Sequence, residues 1–564
     1  MQFFAAAMSA ALLAVPGTAP AVQQADPAPV RPGAAKPKYL PAQPSARAAA
    51  AAEAGWDQLT RDGIVLLYRR TAVTVTPSTG AGADTRSDFD GDGLDDVAAF
   101  SDNGVIVRYS SAPYLDHLRT EMPQGGCVCF GWPMVSGNFD GDGYDDLAIA
   151  DGGEMDTSTG TLDTGAVWIF PGGPGGLQID AVQHLNQTTA GVPGTSEEGD
   201  WFGGALAAGD ITGDGRDDLA IGLPREAVGA TTQAGGVIVL NGSPSGIVTT
   251  GAQWIDQSTT GVPGTPETGD SFGWGLAIGK VDKNGYAELL VGTPLENDHD
   301  LNDGSGMIAQ FWGSSAGVSL SNVTSVSGET VTAAAGLDGM YAWNLGFSLG
   351  VTDTDGDGYG EVIVGDSGAE VGWDLAPGAV FSLAGRSTGL SATGVKVLSQ
   401  DSSGVAGATE NEDHFGASIA VGDVTGDGLG DVLVGVPNED IGTTADAGMV
   451  VLLRGSSGGL TGTGSQSLDQ SSALVPGAAE KDDTFGDSVT MLNLNGAGPL
   501  EALVGTSGEE VTGDPVGYPS GTVTSFPVGS AGLGTGTATS GRSLVPADET
   551  IGRYGLYLVA PQGS

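Results

Sequence analysis

The stretch DITGDGRDDLAIG, residues 210–222, sets a glycine-bent acidic loop directly against an apolar run. Counted from Asp210, side-chain oxygens fall at positions 1, 3, 5 and 9 (Asp210, Thr212, Asp214, Asp218), with the backbone carbonyl of Arg216 expected at position 7. Hard cations that take many oxygen ligands favour such clustering, and Ca2+ tolerates irregular geometry better than Mg2+ does. Glycines at positions 4 and 6 permit the tight backbone that turns alternate side chains inward.

Related loops begin at Asp88, Asn138, Asp210, Lys280, Asp353, Asp423 and Asn493, separated by 50, 72, 70, 73, 70 and 70 residues. Each belongs to a wider unit. An aromatic-Gly stretch such as WFGGALAAGD or HFGASIAVGD comes first, then the acidic loop and a short apolar run such as DLAIG or DVLVG. A second run such as GGVIVL follows, and a fourth element carries QHLNQTTAGVPG, QWIDQSTTGVPG or QSLDQSSALVPG. The runs are short, rich in Val, Ile, Leu and Ala, and bounded by Gly, Asp and Pro, so they are expected to be strands. Four strands per unit of about 70 residues, seven times over, predict an all-β fold: a seven-bladed β-propeller with four-stranded blades.

The order Phe-Gly, Gly-Asp, then Asp-x-x-Gly-Asp-Gly-x-x-Asp resembles the FG-GAP repeat over roughly residues 60–564. That repeat builds the seven-bladed propeller of integrin α-subunits and of many secreted bacterial proteins. The resemblance implies the propeller; adhesion is a weaker implication, because a fold does not fix a function.

Five loops carry the full ligand pattern: Asp88, Asp90, Asp92, Leu94 and Asp96; Asn138, Asp140, Asp142, Tyr144 and Asp146; Asp210, Thr212, Asp214, Arg216 and Asp218; Asp353, Asp355, Asp357, Tyr359 and Glu361; and Asp423, Thr425, Asp427, Leu429 and Asp431. About five Ca2+ sites are expected from that ligand count. An EF-hand would need a bidentate Glu at position 12 and flanking helices. Position 12 is instead Ala99, Ile149, Ile221, Val364 and Val434, each inside an apolar strand. Asx-turns alone would explain one such loop, but repeated clusters of unpaired carboxylates would repel one another. Loop 4, with Lys280, Asp282, Asn284 and Glu288, and loop 7, with Asn493, Asn495, Ala497 and Glu501, are expected to hold no Ca2+.

Twenty Lys and Arg against 69 Asp and Glu give a formal charge of −49, which repels nucleic acid and favours cations or basic partners. The 97 Gly residues suit turn-rich β structure. Residues 1–21, with an apolar stretch and Ala19-Pro20-Ala21, read as a secretory signal peptide, and Phe3 to Val15 is too short to span a bilayer. Residues 22–55 form a Pro/Ala-rich disordered spacer, and 56–564 the propeller. The chain is expected to be a secreted monomer with no transmembrane segment. Cys127 and Cys129 read as small buried hydrophobes in preference to a strained disulfide.

The four histidines, His117, His184, His299 and His414, share no repeat position, and no hydrolase motif survives inspection. GDSGAE (365–370) occupies the same turn slot as GLPRE. The chain therefore reads as an extracellular binding or adhesion module for a protein or glycan; the alternative is a hydrolase or lyase built from propeller face loops. A recurring Glu (Glu154, Glu226, Glu296, Glu439, Glu509, with Glu370 shifted by one) should ring the rim opposite the acidic loops and accept hydrogen bonds from the neighbouring blade. The ligand is expected on that rim, near residues that differ between units: Arg225, Asn297 to Asp303, and Trp373 with Asp374. The tail Arg553 to Pro561 supplies a spare aromatic-Gly stretch and is expected to complete the first blade.

Overall fold

The third unit shows how the sequence becomes a blade. In the computed structural model, Ala205–Gly209, Asp218–Leu223, Gly236–Asn241 and Val248–Ile255 form one antiparallel sheet in that order. Ala205 lies opposite Gly222, and Gly209 opposite Asp218. The second strand is buried at every position. Its sheet is covered on both faces, so alternate side chains enter two different cores. Leu219, Ile221 and Leu223 pack with Ala148, Val167 and Ile169 of the preceding unit. Ala220 packs with Leu276, Ile278 and Leu289 of the following one. Burial on both sides is why the run is continuously apolar rather than alternating.

The structure describes residues 57–561 except 63, 73–85, 102–103, 113, 122–128, 297–304, 337–341, 343, 371–375, 474, 497–498, 511–520, 531, 535–541, 544–557 and 559. Within them the chain is a seven-bladed β-propeller. Blades two to seven begin at Phe130–Gly137, Ala205–Gly209, Gly275–Gly279, Ser348–Thr352, Ser418–Gly422 and Phe485–Leu492. These first strands contact one another in succession and form the inner wall of the ring. In units two to seven the acidic loop joins the first strand to the second, and loop 1 leads into the second strand of blade one, so the loops share one rim.

Blade one is completed from the far end of the chain. Its strands Val97–Ser101, Gly104–Arg108 and Tyr114–Glu121 lack an inner partner of their own. Leu558 supplies it, bridging Ala99 in antiparallel fashion. Leu206 occupies the matching place in blade three, opposite Ile221. Ala560–Pro561 then runs parallel to Val135–Ser136 of blade two. The Leu558 side chain is buried among Ala99 and Ile106 of blade one and Leu492, Leu503 and Val523 of blade seven. The last strand thus closes the ring, which removes an exposed sheet edge.

Three features were not foreseen. The hairpin Asp57–Arg61 and Ile64–Ala72 adds two strands to the outer edge of blade one, Ile64–Ala72 pairing with Tyr114–Glu121. In blade four a short helix, Gly328–Ala335, takes the place of the V-P-G turn; Ser327 caps it by accepting the Thr330 N–H. Cys129 is disulfide-bonded, which corrects the expectation of a free buried thiol; the chain's other cysteine, Cys127, lies outside the described residues.

The Phe-Gly element locks blades three, four and six to the blade before, and Leu345 takes the Phe place in blade five. Phe272 forms a parallel bridge with Gly235 of blade three and is fully buried. Gly235 has φ +86°, and a Cβ there would lie 2.3 Å from the Phe272 carbonyl oxygen. Only glycine fits both demands.

Candidate metal centres

Each acidic loop is wound by its own side-chain oxygens. In loop 1, Asp88 Oδ1 accepts the N–H groups of Gly91 at 2.7 Å and Asp92 at 3.1 Å, and Oδ2 accepts that of Gly93 at 2.8 Å. Asp92 Oδ1 accepts the Leu94 N–H at 2.9 Å. Loops 5 and 6 repeat the pattern: Asp353 takes Gly356 and Gly358, and Asp423 takes Gly426 and Gly428. Asp210 holds Asp214 and Gly215, while Asn138, an amide, holds Gly141. Position 5 then fixes position 7 in loops 2, 3, 5 and 6, where Tyr144, Arg216, Tyr359 and Leu429 donate to Asp142, Asp214, Asp357 and Asp427. These contacts turn successive carboxylates toward the loop interior.

Position 9 does a different job. Asp96 Oδ2 accepts the Phe89 N–H at 2.9 Å, and Oδ1 accepts that of Ser110 at 2.9 Å. Asp146, Asp218 and Glu361 likewise accept N–H groups of Phe139, Thr212 and Thr354 near the loop start. Asp431 accepts the Gly455 N–H at 3.0 Å. Loops 4 and 7 keep the same contact through Glu288 to Val281 and Glu501 to Leu494. Because it persists in loops that lack the full ligand pattern, the position 9 acid anchors the loop to the strand whatever else it binds.

Position 8, which the sequence reading passed over, ties six of the seven neighbouring loop pairs together. The N–H of Asp145 donates to the Asp88 carbonyl, Asp217 to Asn138, Ala287 to Asp210, Gly360 to Lys280, Gly430 to Asp353, and Asp95 to Asn493. Where position 8 is Asp, its carboxylate returns the bond: Asp145 accepts from Asp88 N, Asp217 from Asn138 N, and Asp95 from Asn493 N. The signal was the Asp-Asp doublet, present only in the first three loops.

Position 7 covers the neighbouring loop. A Cβ on Gly91 would lie 2.2 Å from the Tyr144 ring, one on Gly141 2.8 Å from Arg216, and one on Gly213 2.8 Å from Tyr286. Position 4 is therefore glycine for packing as well as for backbone freedom. Loop 4 breaks the rule with Lys283, whose ammonium sits 4.0 Å over the Tyr359 ring and donates to the Asp357 carbonyl.

Two loops bring three carboxylates within 4.8 Å of one another: Asp88, Asp90 and Asp96, and Asp353, Asp355 and Asp357. Burial, with Asp92 and Asp88 close by, pushes Asp90 up to about 6. Asp88 and Asp140 are raised as well, chiefly by burial. A divalent cation offsets that repulsion, and the oxygen-rich donor set suits a hard ion. Loops 2, 3 and 6 mix Asn138, Thr212 and Thr425 into the pattern. In loop 3, Arg216 Nη2 holds Asp214 Oδ2 at 2.6 Å and so withdraws one oxygen. Lys280 of loop 4 is exposed, and loop 7 keeps the Asn493 to Gly496 turn and the Glu501 anchor, Ala497 lying outside the described residues.

On the opposite rim, the recurring Glu accepts a hydrogen bond from the blade before it. Gln187 Nε2 donates to Glu226 at 2.9 Å and Gln400 Nε2 to Glu439 at 2.6 Å; Gln257 and Gln470 do the same to Glu296 and Glu509. Burial pushes Glu226 and Glu439 up to about 7. Glu154 instead receives Trp168 Nε1 at 3.1 Å and pairs with His184 Nε2 at 2.7 Å. The residues 297–303 and Trp373 with Asp374 lie outside the described residues.

The model of the FG-GAP repeat matches residues 130–170, 202–240 and 415–453, the first three strands of blades two, three and six. Integrin alpha-PS2 of Drosophila melanogaster is 32% identical over 220 residues, 36% of this chain and 14% of that protein. Phosphatidylinositol-glycan-specific phospholipase D of Bos taurus is 28% identical over 220 residues, 39% of this chain and 24% of that protein. The chain thus spans less than a quarter of the length of these curated relatives. Among solved structures, Bacillus licheniformis rhamnogalacturonan lyase PL11 aligns at a TM-score of 0.31 and 12% identity, over 81% of this chain and 69% of that one. A likeness at that level carries no argument about activity. The repeat matches, the Phe-Gly locks and the ring of acidic loops identify the chain as an FG-GAP repeat β-propeller.

Proposed function

We propose that the chain is a secreted, calcium-binding propeller that serves as an extracellular binding or adhesion module for a protein or glycan. The observation that carries the calcium assignment is the convergence of Asp353, Asp355 and Asp357, and of Asp88, Asp90 and Asp96, within the wound loops. In each of the five loops the residues at positions 1, 3, 5, 7 and 9 would hold the ion. Bound Ca2+ would supply positive charge that lets neighbouring carboxylates ionise together, and so would stiffen the rim. The opposite rim would then be a rigid platform for the ligand. Secretion rests on the signal-like residues 1–21, outside the described residues, and no described helix is long and apolar enough to cross a membrane.

The test is capture by the mature chain on a glycan array and on immobilised extracellular proteins, in Ca2+ and in chelator, with bound metal counted by native mass spectrometry. Calcium uptake with calcium-dependent capture supports the reading. A chain that takes up no Ca2+ and captures nothing overturns it.

A further inference from the structure

The rim opposite the acidic loops carries an arginine whose hydrogen-bonding capacity is unused. Arg225 follows the second strand of blade three, and its guanidinium lies 3.6 Å from the centroid of the Trp201 ring. It is half-buried, and burial holds it below its ordinary value, with Asp163 opposing that effect. Among the described residues none accepts a hydrogen bond from its side chain. Its neighbour Glu226 is no partner, since that carboxylate is buried and turned onto Gln187. No described carboxylate forms an ion pair with it, although the chain carries a formal charge of −49.

Stacking on Trp201 holds the guanidinium plane, so its fork is set in advance for a planar anion. Bidentate carboxylate recognition is what that geometry suits best. Beside it runs a row of aromatic side chains. Trp201 lies 6.4 Å from Trp274, and Trp274 lies 5.8 Å from Phe347, with tilts of 43° and 34°. All three are half-buried and precede or begin the inner strands of adjacent blades.

Main-chain N–H groups along this row are already engaged. Phe202 N donates to Thr164 O, Gly204 N to Gly222 O, Phe272 N to Ala234 O, Gly273 N to Gly292 O, and Phe347 N to Asn344 O. A polypeptide usually gains affinity from main-chain hydrogen bonds to its host. Here recognition must come from ring faces and one cationic fork. We propose that this row binds an acidic saccharide, a chain of pyranose rings bearing carboxylates (uronates): the rings lie on Trp201, Trp274 and Phe347, and a carboxylate takes the Arg225 fork.

The inference rests on the binding-module reading above and narrows it to one ligand class. It is tested by calorimetry with alginate and hyaluronan oligomers, the same oligomers after carboxyl reduction, and poly-glutamate. Free Ca2+ is buffered throughout, because uronates bind it themselves. The wild-type chain should bind at least one uronate series, and carboxyl reduction should weaken that binding by about tenfold or more. Arg225→Ala should cost a similar factor for the charged oligomer and little for the reduced one. Arg225→Lys should not restore binding, because a lysine has no fork and does not stack as a plane. Trp274→Ala should weaken both oligomers. Calcium content should stay at the wild-type value in all three variants, and each should unfold in one cooperative transition.

No uronate binding, or binding indifferent to Arg225→Ala, overturns the inference. Tighter binding of poly-glutamate overturns it in favour of an acidic peptide. Capture of neutral glycans or proteins without any uronate overturns this inference while leaving the binding-module reading intact. Failure to capture anything by a folded, calcium-loaded chain removes both.

Discussion

Asp145 and Asp88 clasp each other by two hydrogen bonds: the Asp145 carboxylate accepts the Asp88 N–H at 2.9 Å, and the Asp145 N–H donates to the Asp88 carbonyl at 3.0 Å. The clasp joins acidic loops of adjacent blades. Asp145→Ala strands the Asp88 N–H in a partly buried place, at a cost of about 1–3 kcal/mol. Asp145→Asn keeps an acceptor oxygen and should cost less. Thermal unfolding of the two variants in chelator checks the order; equal losses would mean that the clasp is not what the alanine removes.

Stability of the metal-free chain should fall as pH rises from about 5 to 8. Burial pushes Glu288, Glu501 and Asp483 up to about 7, and Asp413 up to about 8. Their unfolded values lie near 4, so across this window the folded state holds more protons than the unfolded one. A group raised in this way stabilises fully below its unfolded value and loses that contribution as pH passes its folded value. Melting temperatures in chelator at pH 5, 6.5 and 8 should therefore decline in that order.

Much of this was legible in the sequence, and the reason is repetition. Seven spaced loops give the blade number, and the continuous burial of Asp218–Leu223 explains an apolar run that alternation would not have marked. The spare aromatic-Gly stretch near Tyr554 pointed to closure, and Leu558 opposite Ala99 bears it out. The recurring Glu likewise receives its neighbour's glutamine, as at Glu226. What was hidden depends on contacts between units. The Asp95, Asp145 and Asp217 clasps need the neighbouring loop to be seen, and so does the Tyr144 ring over Gly91. The hairpin at Asp57–Ala72 belongs to no repeat, so no period could place it on the edge of blade one.

Removing the last strand should undo the ring. Deleting residues from Glu549 onward takes away Leu558, which is buried between blades one and seven and bridges Ala99. The freed inner edge of Val97–Ser101 then invites association. Size-exclusion chromatography should show aggregation, and a soluble truncation with the wild-type melting temperature would contradict the closure.

Loop 3 should bind calcium more tightly once Arg216 releases Asp214. Arg216→Met keeps an apolar stem over Gly141 while freeing Asp214 Oδ2. An exposed ion pair is worth up to about 1 kcal/mol, so affinity at that loop should rise by about two- to fivefold. Terbium luminescence titration, read against Asp210→Ala to identify the loop 3 component, measures it; unchanged affinity would mean that Arg216 does not compete for the site.

The most direct measurement is the number of Ca2+ ions bound by the folded chain together with its melting temperature in calcium and in excess chelator. Convergent carboxylates such as Asp353, Asp355 and Asp357, together with the four similar loops, predict about five ions and a marked fall in melting temperature on chelation. They also predict the loss of about one ion in Asp92→Ala or Asp427→Ala. A chain that binds no calcium and melts identically in chelator would contradict the assignment.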